Sequence, residues 1–417
     1  MDAATTPDAA ATMLAEALGI PVSALRPLSR EPLGEGTVSG FELQSGSAPA
    51  GLEAPAADAL AAAELPEGTV AYIDTSRLPV LAETGFVQEG VARVWIHPAD
   101  PHLPALAPAA FGEAAGVLLR RLGVTAPEAP QIVGYRPGRR AVLRVPTADG
   151  AVWVKVVRPR RIERVVAAHT RLREGGLPVP AVRGWSPDGL LVLAAAEGEP
   201  ATAATWDPAG LVDAVDTLRD RLATVPIDWP ARTSLADRLP WYIERLQALL
   251  PARRERLGGL ARSITGLLAS SAGSLVTIHG DLHLGQLFVT GDDLTGLIDV
   301  DTAGRGMPGE DAAAFIAHAV ASALLTARQG GDDARVWALA AVAQERWVTD
   351  PHTNALTAVH LLGHALGAAS AGDEPRADAL LARAETVAAG TTATATTTAG
   401  ATGAEPKSPL MAGFDEA

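Results

Sequence analysis

The chain contains no cysteine, which excludes thiolate catalysis, disulfide cross-links and cysteine-based zinc or iron–sulfur sites. A reducing cytoplasm suits that composition, and a cytoplasmic protein is the expectation. Lysine is almost missing too. Of the 34 Lys+Arg residues only Lys155 and Lys407 are lysines, so arginine serves wherever any cation will do and Lys155 needs a specific reason. Long apolar runs are also lacking: the longest, Ala312 to Ala327, is interrupted by His318 and falls short of the roughly 20 residues of a membrane span. The opening Met1-Asp2 does not begin the basic-then-apolar layout of a secretory signal, so no membrane segment is expected. Positive charge is in deficit. A formal net charge of −14 disfavours nucleic acid as a partner, because its binding is driven by cation-to-phosphate contacts. A neutral or cationic small molecule is easier to accommodate.

What is present is ordinary globular material. Hydrophobic residues make up 48% and charged residues 20%, and 417 residues exceed the usual size of one core, so two or three structural units are expected. The first 110 residues open with an amphipathic segment from Ala10 to Leu18 and hold strand-like pieces such as Gly68 to Ile73. Between them an Ala/Gly/Pro/Ser-rich stretch from Ser45 to Ala63 reads as a loop or weak helix. A helical pattern from Phe111 to Gly123 precedes two strands, Gln131 to Val145 and Ala151 to Val157, joined at Thr147-Ala148-Asp149-Gly150. A helix from Arg161 to Glu174 is closed by Gly175-Gly176, residues suited to a left-handed helix end, and a strand from Gly189 to Ala194 follows. Beyond Glu197 the pattern is helical, apart from two short apolar runs at Leu275 to Ile278 and Leu294 to Val300. The Thr/Ala/Gly-rich end, from about Gly390, reads as a disordered tail.

The polar cluster between those two apolar runs carries the chemistry. It reads Ile278-His279-Gly280-Asp281-Leu282-His283-Leu284-Gly285-Gln286, followed by Gly296-Leu297-Ile298-Asp299-Val300-Asp301. Carboxylates at the ends of apolar strands are costly unless they bind a cation or accept hydrogen bonds, so their presence marks a site. The Gln286 carbonyl and the Asp299 carboxylate are hard oxygen donors of the kind Mg²⁺ prefers, and Asp281 is spaced to orient an attacking hydroxyl.

This paired motif resembles that of the aminoglycoside phosphotransferase and choline kinase group within the protein-kinase-like fold, over about residues 111 to 390, and most closely its maltokinase-like bacterial sugar kinases, which include glucosamine kinases. The resemblance implies ATP and Mg²⁺ as cofactors, Asp281 as the catalytic aspartate, and Gln286 and Asp299 as metal ligands, with Gln286 standing where most relatives have asparagine. It implies that Lys155, on the strand Ala151 to Val157, contacts the ATP phosphates. The carboxylate partner expected for Lys155 falls on the next helix, where Glu163 is nearest and Val165 occupies the usual place. Residues Gly134 to Arg140 would cover the phosphates, with Arg139 adding charge, and the backbone near Ala194 and Ala196 would hold adenine at the hinge.

For the acceptor, His283, Asp301, Trp241 and Trp347 are the candidates. His279 reads as a structural hydrogen-bonder, and His360 with His364, spaced four apart without the glutamate of a zinc motif, as helix packing or substrate-side polarity. The expected fold class is α+β, bilobal and protein-kinase-like, with an extra N-terminal cap. Residues 1–110 form the cap, 111–197 the ATP-binding N-lobe, 198–390 the mostly helical C-lobe and 391–417 the tail. The implied reaction is phosphorylation of a sugar hydroxyl, foremost that of an aminosugar such as glucosamine, to give glucosamine 6-phosphate. An aminoglycoside antibiotic or maltose as acceptor, and a non-catalytic nucleotide-binding module, are the alternatives.

Overall fold

The computed structural model describes residues 7–44, 68–80, 86–88 and 92–390, apart from 122, 126–127, 149, 270–272, 292 and 349. The Ser45 to Ala63 stretch and the tail from residue 391 lie outside the described residues. The chain forms two compact units. One takes the residues up to Val166 together with Val182–Ala195; the other takes Ala167–Ala181 and the chain from Ala196 onward.

The first unit holds two five-stranded antiparallel sheets. Strands β1 (Leu25–Leu33), β2 (Gly36–Leu43), β3 (Val70–Asp74), β4 (Phe86–Gln88) and β5 (Ala92–Ile96) lie in the order β1-β2-β3-β5-β4. Helix α1 (Pro7–Leu18) presents Ala10, Ala11, Leu14 and Ala15, which share one face at helical spacing, to Leu25, Phe41, Ile73 and Val94.

The second sheet contains β6 (Gln131–Arg136), β7 (Arg140–Thr147), β8 (Gly150–Val157), β9 (Val182–Ser186) and β10 (Leu190–Ala194), ordered β6-β7-β8-β10-β9. Alternation along β7 buries Ala141, Leu143 and Val145 against α2 (Leu106–Ala110) and α3 (Gly112–Arg121). One expectation is corrected here. The single strand Gln131 to Val145 is two strands, because Gly138 at φ +67° makes a tight turn between them. The helix expected from Phe111 to Gly123 is α3, which starts at Gly112 because Phe111 itself is extended at ψ 119°, with the short α2 before it. Helix α4 (Ile162–Glu174) ends as expected: Gly176 adopts φ +75° and the Leu177 N–H donates to the Leu172 carbonyl at 3.0 Å.

The second unit is mainly helical. Helices α5 (Pro208–Thr224), α6 (Leu239–Leu249), α7 (Arg254–Leu268), α8 (Gly309–Arg328), α9 (Ala334–Trp347), α10 (Pro351–Ser370) and α11 (Glu374–Ala388) share one apolar core. In α5, Asp207 caps the first turn by accepting from the Gly210 N–H at 2.8 Å, and Pro208 stands where its missing N–H costs nothing. Its buried Leu211, Val215, Leu218 and Leu222 form a single stripe, each worth about 1.5–3 kcal/mol of burial. Helix α8, 20 residues long, is apolar enough to cross a membrane by length and composition, which the shorter run in the sequence did not suggest. It is the central core helix of this unit, buried from Glu310 to Ala317.

Two small sheets in this unit frame the polar cluster. Strands β11 (Glu199–Pro200), β13 (Leu287–Thr290) and β14 (Asp293–Leu297) form one, and β12 (Val276–Ile278) pairs with β15 (Gly304–Gly306) in the other.

Candidate active site

The register of β13 on β14 sets Leu287 opposite Leu297, so the residues just outside the hairpin meet. The Ile298 N–H donates to the Gln286 carbonyl at 3.0 Å, which places Gln286 and Asp299 at neighbouring ends of the two strands. Gln286 is 2% exposed, and its side-chain oxygen has no hydrogen-bond partner among the described residues. An orphaned buried amide oxygen costs about 1–3 kcal/mol, so a cation that uses it as a ligand is the simplest reason for keeping it. Asp299 sits at φ +59°, a left-handed conformation that costs a side-chain-bearing residue about 1–3 kcal/mol and that aspartate tolerates better than most. The donor set, an amide oxygen and a carboxylate, fits Mg²⁺.

The backbone of the His-Gly-Asp loop is clamped from beneath. The N–H groups of His279 and Gly280 donate to Asp311 Oδ2 and Oδ1 at 2.7 and 2.8 Å, and the Thr302 hydroxyl donates to the His279 carbonyl at 2.8 Å. The His279 ring is fully buried, and its Nε2–H donates to the Ile298 carbonyl at 3.0 Å, tying the loop to the Asp299 segment. That is a structural role, not proton transfer. Gly280 stands at φ +84° with the Thr302 carbonyl 2.9 Å from where a Cβ would be, so no other residue fits.

Asp281, at the tip of this loop, keeps 16% of its side chain accessible. Arg232 Nη1 lies 3.2 Å from its Oδ1, and His318 Nε2 lies 4.0 Å from the same oxygen. His283 Nδ1 accepts from the Gly285 N–H at 3.1 Å, which leaves the ring proton on Nε2. Its ring stacks on His318 at 4.4 Å, and His318 meets His364 edge-on at 4.6 Å. Burial, then the neighbouring His279, pushes His283 down to about 4; burial, then Arg376, does the same to His364. Burial and the surrounding rings hold His318 well below the usual imidazole range. A cavity of about 340 Å³ in this unit is lined by Thr233, Ser234, Arg305 and Glu310 among others. Of the residues named around Asp281, Arg232 alone borders it.

The first unit carries Lys155, 5% exposed on β8 between Val142 of β7 and Leu191 of β10. The turn at Pro137-Gly138-Arg139 is anchored on Asp100. Its Gly138 N–H donates to Asp100 Oδ2 at 2.7 Å, and the Tyr135 hydroxyl donates to the same oxygen at 3.0 Å. A Cβ on Gly138 would lie 2.6 Å from Leu33 Cδ2. Asp100 also accepts from the His102 N–H at 2.8 Å, yet burial outweighs these hydrogen bonds and pushes its carboxyl up. The His102 ring contacts Asp74 at 2.8 Å; burial works against that carboxylate, but His102 and Ser76 hold it below its usual range.

The guanidinium of Arg139 donates to the Pro32 carbonyl and lies 4.0 Å from Glu31, both on β1, so the N-terminal strands hold this side of the turn. Glu163 sits on the exposed face of α4, while Val165 is 1% exposed in an apolar cluster with Leu191. Trp347 is 8% exposed, edge-on to Phe315 at 5.6 Å, with its indole N–H donating to Asp216 at 2.7 Å and Arg219 over its ring, so it packs as a core residue.

Trp241 is 37% exposed on α6, beside Tyr242 and beneath Arg245. Asp301 is 7% exposed in the turn that follows Asp299. Ala194 ends β10, and Ala196 lies just past the point where the chain passes from one unit to the other. Sequence reasoning missed Arg232, Asp311, His318 and Asp100. The one local signal was Pro308-Gly309-Glu310-Asp311, an acidic start to a helix whose next turns are almost wholly apolar.

The profile of the family described as phosphotransferase enzyme family matches residues 132–344, just over half of the chain. The chain matches no curated protein sequence. Among solved structures it is similar to a thermostable mutant of aminoglycoside phosphotransferase APH(4)-Ia, at 13% identity over 65% of this chain and 97% of that one, with a TM-score of 0.47. It is similar to the macrolide 2'-phosphotransferase MphH of Brachybacterium faecium at 19% identity over 65% and 97%, with a TM-score of 0.41. It is also similar to aminoglycoside phosphotransferase APH(3'')-Id of Streptomyces rimosus in complex with ADP and streptomycin, at 27% identity over 59% and 98%, with a TM-score of 0.39. The matched span takes in Lys155, the His-Gly-Asp loop and the Ile-Asp hairpin, and the chain belongs to this phosphotransferase family.

Proposed function

We propose that this phosphotransferase phosphorylates a hydroxyl of a small sugar, foremost an aminosugar such as glucosamine, as a maltokinase-like member of its family. In this reading residues 1–110 are a cap, 111–197 the ATP-binding lobe and 198–390 the catalytic and acceptor-binding lobe. The observation that carries the reading is Asp281, a part-accessible carboxylate on a backbone clamped by Asp311, two strands' ends away from the orphaned oxygen of Gln286.

The Asp281 carboxylate orients the acceptor hydroxyl and takes its proton as the acceptor oxygen bonds to the γ-phosphorus. The bond from that phosphorus to the β–γ bridging oxygen breaks, and ADP leaves. Because the loop backbone is fixed by two buried hydrogen bonds to Asp311, the carboxylate is held where the hydroxyl must come, and less orientational freedom is lost on the way to the transition state. Lys155, a compact ammonium on a central strand, aligns the ATP phosphates. Gln286 and Asp299 would hold Mg²⁺, which when bound would supply positive charge against the phosphoryl oxygens. The side-chain types at Gln286, with His-Gly-Asp before it and Ile-Asp after, support the sugar-kinase branch.

The test is acceptor-dependent ADP release with ATP and Mg²⁺ across glucosamine, other hexoses, maltose and kanamycin-type compounds. The reading expects turnover with a hexose, strongest with glucosamine. Turnover confined to the kanamycin-type compounds would replace the sugar with an antibiotic, and ATP binding without turnover on any acceptor would leave a nucleotide-binding module.

A further inference from the structure

Four histidines cluster about His318, whose ring lies beside Asp281, and the reaction as derived uses none of them. They come from three elements: His283 from the catalytic loop, His318 from α8, and His360 and His364 from α10. His283, His318 and His364 form a continuous row, stacked and then edge-on. Such a row is stable only as neutral rings, and no protonated ring is favoured beside the guanidinium of Arg232. Arg232 is itself held firmly. Its N–H donates to the Thr302 carbonyl at 3.2 Å and the preceding Ala231 N–H to the Arg305 carbonyl at 2.9 Å, so the segment is pinned to the turn after Asp299. Helix α8 supplies Asp311 below the loop and His318 beside its tip, two turns apart on one helix.

The hydrogen-bonding character of this surface follows from those groups. Around one oxygen of Asp281 stand Arg232, which only donates, and His318, a neutral ring that both donates and accepts. The Arg232 and Asp281 charges offset each other, so a cation placed there gains little. An ammonium can only donate, and beside Arg232 it would set donor against donor and charge against like charge. A hydroxyl or ring oxygen both accepts from Arg232 and exchanges hydrogen bonds with an imidazole. His318 keeps 23% of its side chain accessible, so a ligand can reach it.

We propose that Arg232 and His318, backed by His283 and His364, read uncharged oxygen functions next to the phosphorylated hydroxyl, so that any amine on the acceptor lies away from the reacting carbon. The inference rests on the proposed role of Asp281 toward an alcohol and specifies the chemistry of that alcohol's neighbours. It reconciles a cationic aminosugar with a guanidinium at the catalytic carboxylate: the amine is tolerated at a distance, not recognised at the reaction centre.

The experiment has two arms. In the first, the acceptor series is glucose and its amino-deoxy analogues, with the amine moved round the ring one carbon at a time, and the phosphorylated position of each product is found by phosphorus–proton NMR. No efficient product is expected to carry phosphate on a hydroxyl whose neighbouring carbon bears the ammonium. Such a product formed with kcat/KM within about threefold of the best acceptor would overturn the inference.

In the second arm, His318→Phe keeps ring packing and removes the nitrogens, while His318→Gln keeps a donor and an acceptor. The Phe variant should lose roughly tenfold or more in acceptor kcat/KM with an unchanged KM for ATP, and the Gln variant should recover part of it. Equal acceptor kinetics for wild type and His318→Phe would overturn the inference. The retained KM for ATP separates this effect from misfolding. The two readings fail separately. If no sugar is phosphorylated but another alcohol is, with the same dependence on His318, the sugar assignment falls and the inference stands. If sugars are phosphorylated regardless of amine position and of His318, the inference falls and the sugar assignment stands.

Discussion

Replacing Asp311 with asparagine should cripple turnover without touching any group that contacts substrate. The carboxylate uses one oxygen for each of two consecutive backbone N–H groups, at 2.7 and 2.8 Å, and the residue is 2% exposed. An amide of the same shape has only one oxygen, so either orientation turns an NH₂ group against the N–H of His279 or of Gly280. One hydrogen bond to a charged acceptor is lost and a buried donor is left facing a donor, a cost of about 2–4 kcal/mol. For a folding unit of this size that lowers Tm by roughly 5–15 °C, read by calorimetry. If half of the cost falls on the transition state, because Asp281 then samples positions off the line of attack, kcat drops between about fivefold and thirtyfold. The KM for ATP should stay within about twofold, since the variant leaves Lys155 and the metal ligands in place. Steady-state assays run well below the variant's Tm separate the two effects. A stable protein whose kcat is unchanged although Tm has fallen as calculated would refute the view that Asp311 positions the catalytic loop.

Gln286→Leu should raise the Mg²⁺ concentration needed for half-maximal activity by about tenfold or more, while stability stays level or rises by about 1 kcal/mol, because it removes an orphaned buried oxygen. A loss of stability with unchanged Mg²⁺ dependence would make Gln286 a structural residue. Asp100→Ala strips the acceptor from the Gly138 and His102 N–H groups and from the Tyr135 hydroxyl, and should raise the KM for ATP along with a Tm loss confined to the first unit; an unchanged KM would mean that the turn does not need its anchor. The histidine row gives a pH signature. In the folded chain His283 and His364 titrate near 4, below their ordinary value, so the unfolded chain takes up protons first as pH falls. Their contribution to stability is constant above about pH 6.5 and is lost between there and about pH 4, on the order of 3 kcal/mol per ring when complete. Tm measured from about pH 8 to about pH 5 should therefore fall, and a rise over that interval would contradict neutral burial of the row.

What could be read from the sequence was whatever is local. Asp281, Gln286 and Asp299 lie within two short strands and their turns, so a single stretch of chain contains both their identities and the hairpin that brings them together. Lys155 stood out because the chain otherwise uses arginine. The loop's supports are not local: Asp311 lies 31 positions beyond Gly280, and Arg232 and His318 approach Asp281 from opposite directions along the chain. A periodic helix pattern does not say which buried position faces a ligand, so Trp347 stood among the sugar-stacking candidates although Phe315 and Asp216 occupy its surroundings. The partner of Arg139 was illegible for a related reason: Pro32 lies 107 positions earlier, in a region with no motif to announce it.

The most direct measurement is acceptor-dependent ADP release by Asp281→Asn set against wild type, with nucleotide affinity followed in parallel by equilibrium binding of ADP and Mg²⁺. The account predicts a loss of kcat of about a hundredfold or more with ADP affinity and Tm little changed, because asparagine fills the same space but cannot take the proton. Turnover within a few-fold of wild type would contradict it and move the chemistry away from the His-Gly-Asp loop.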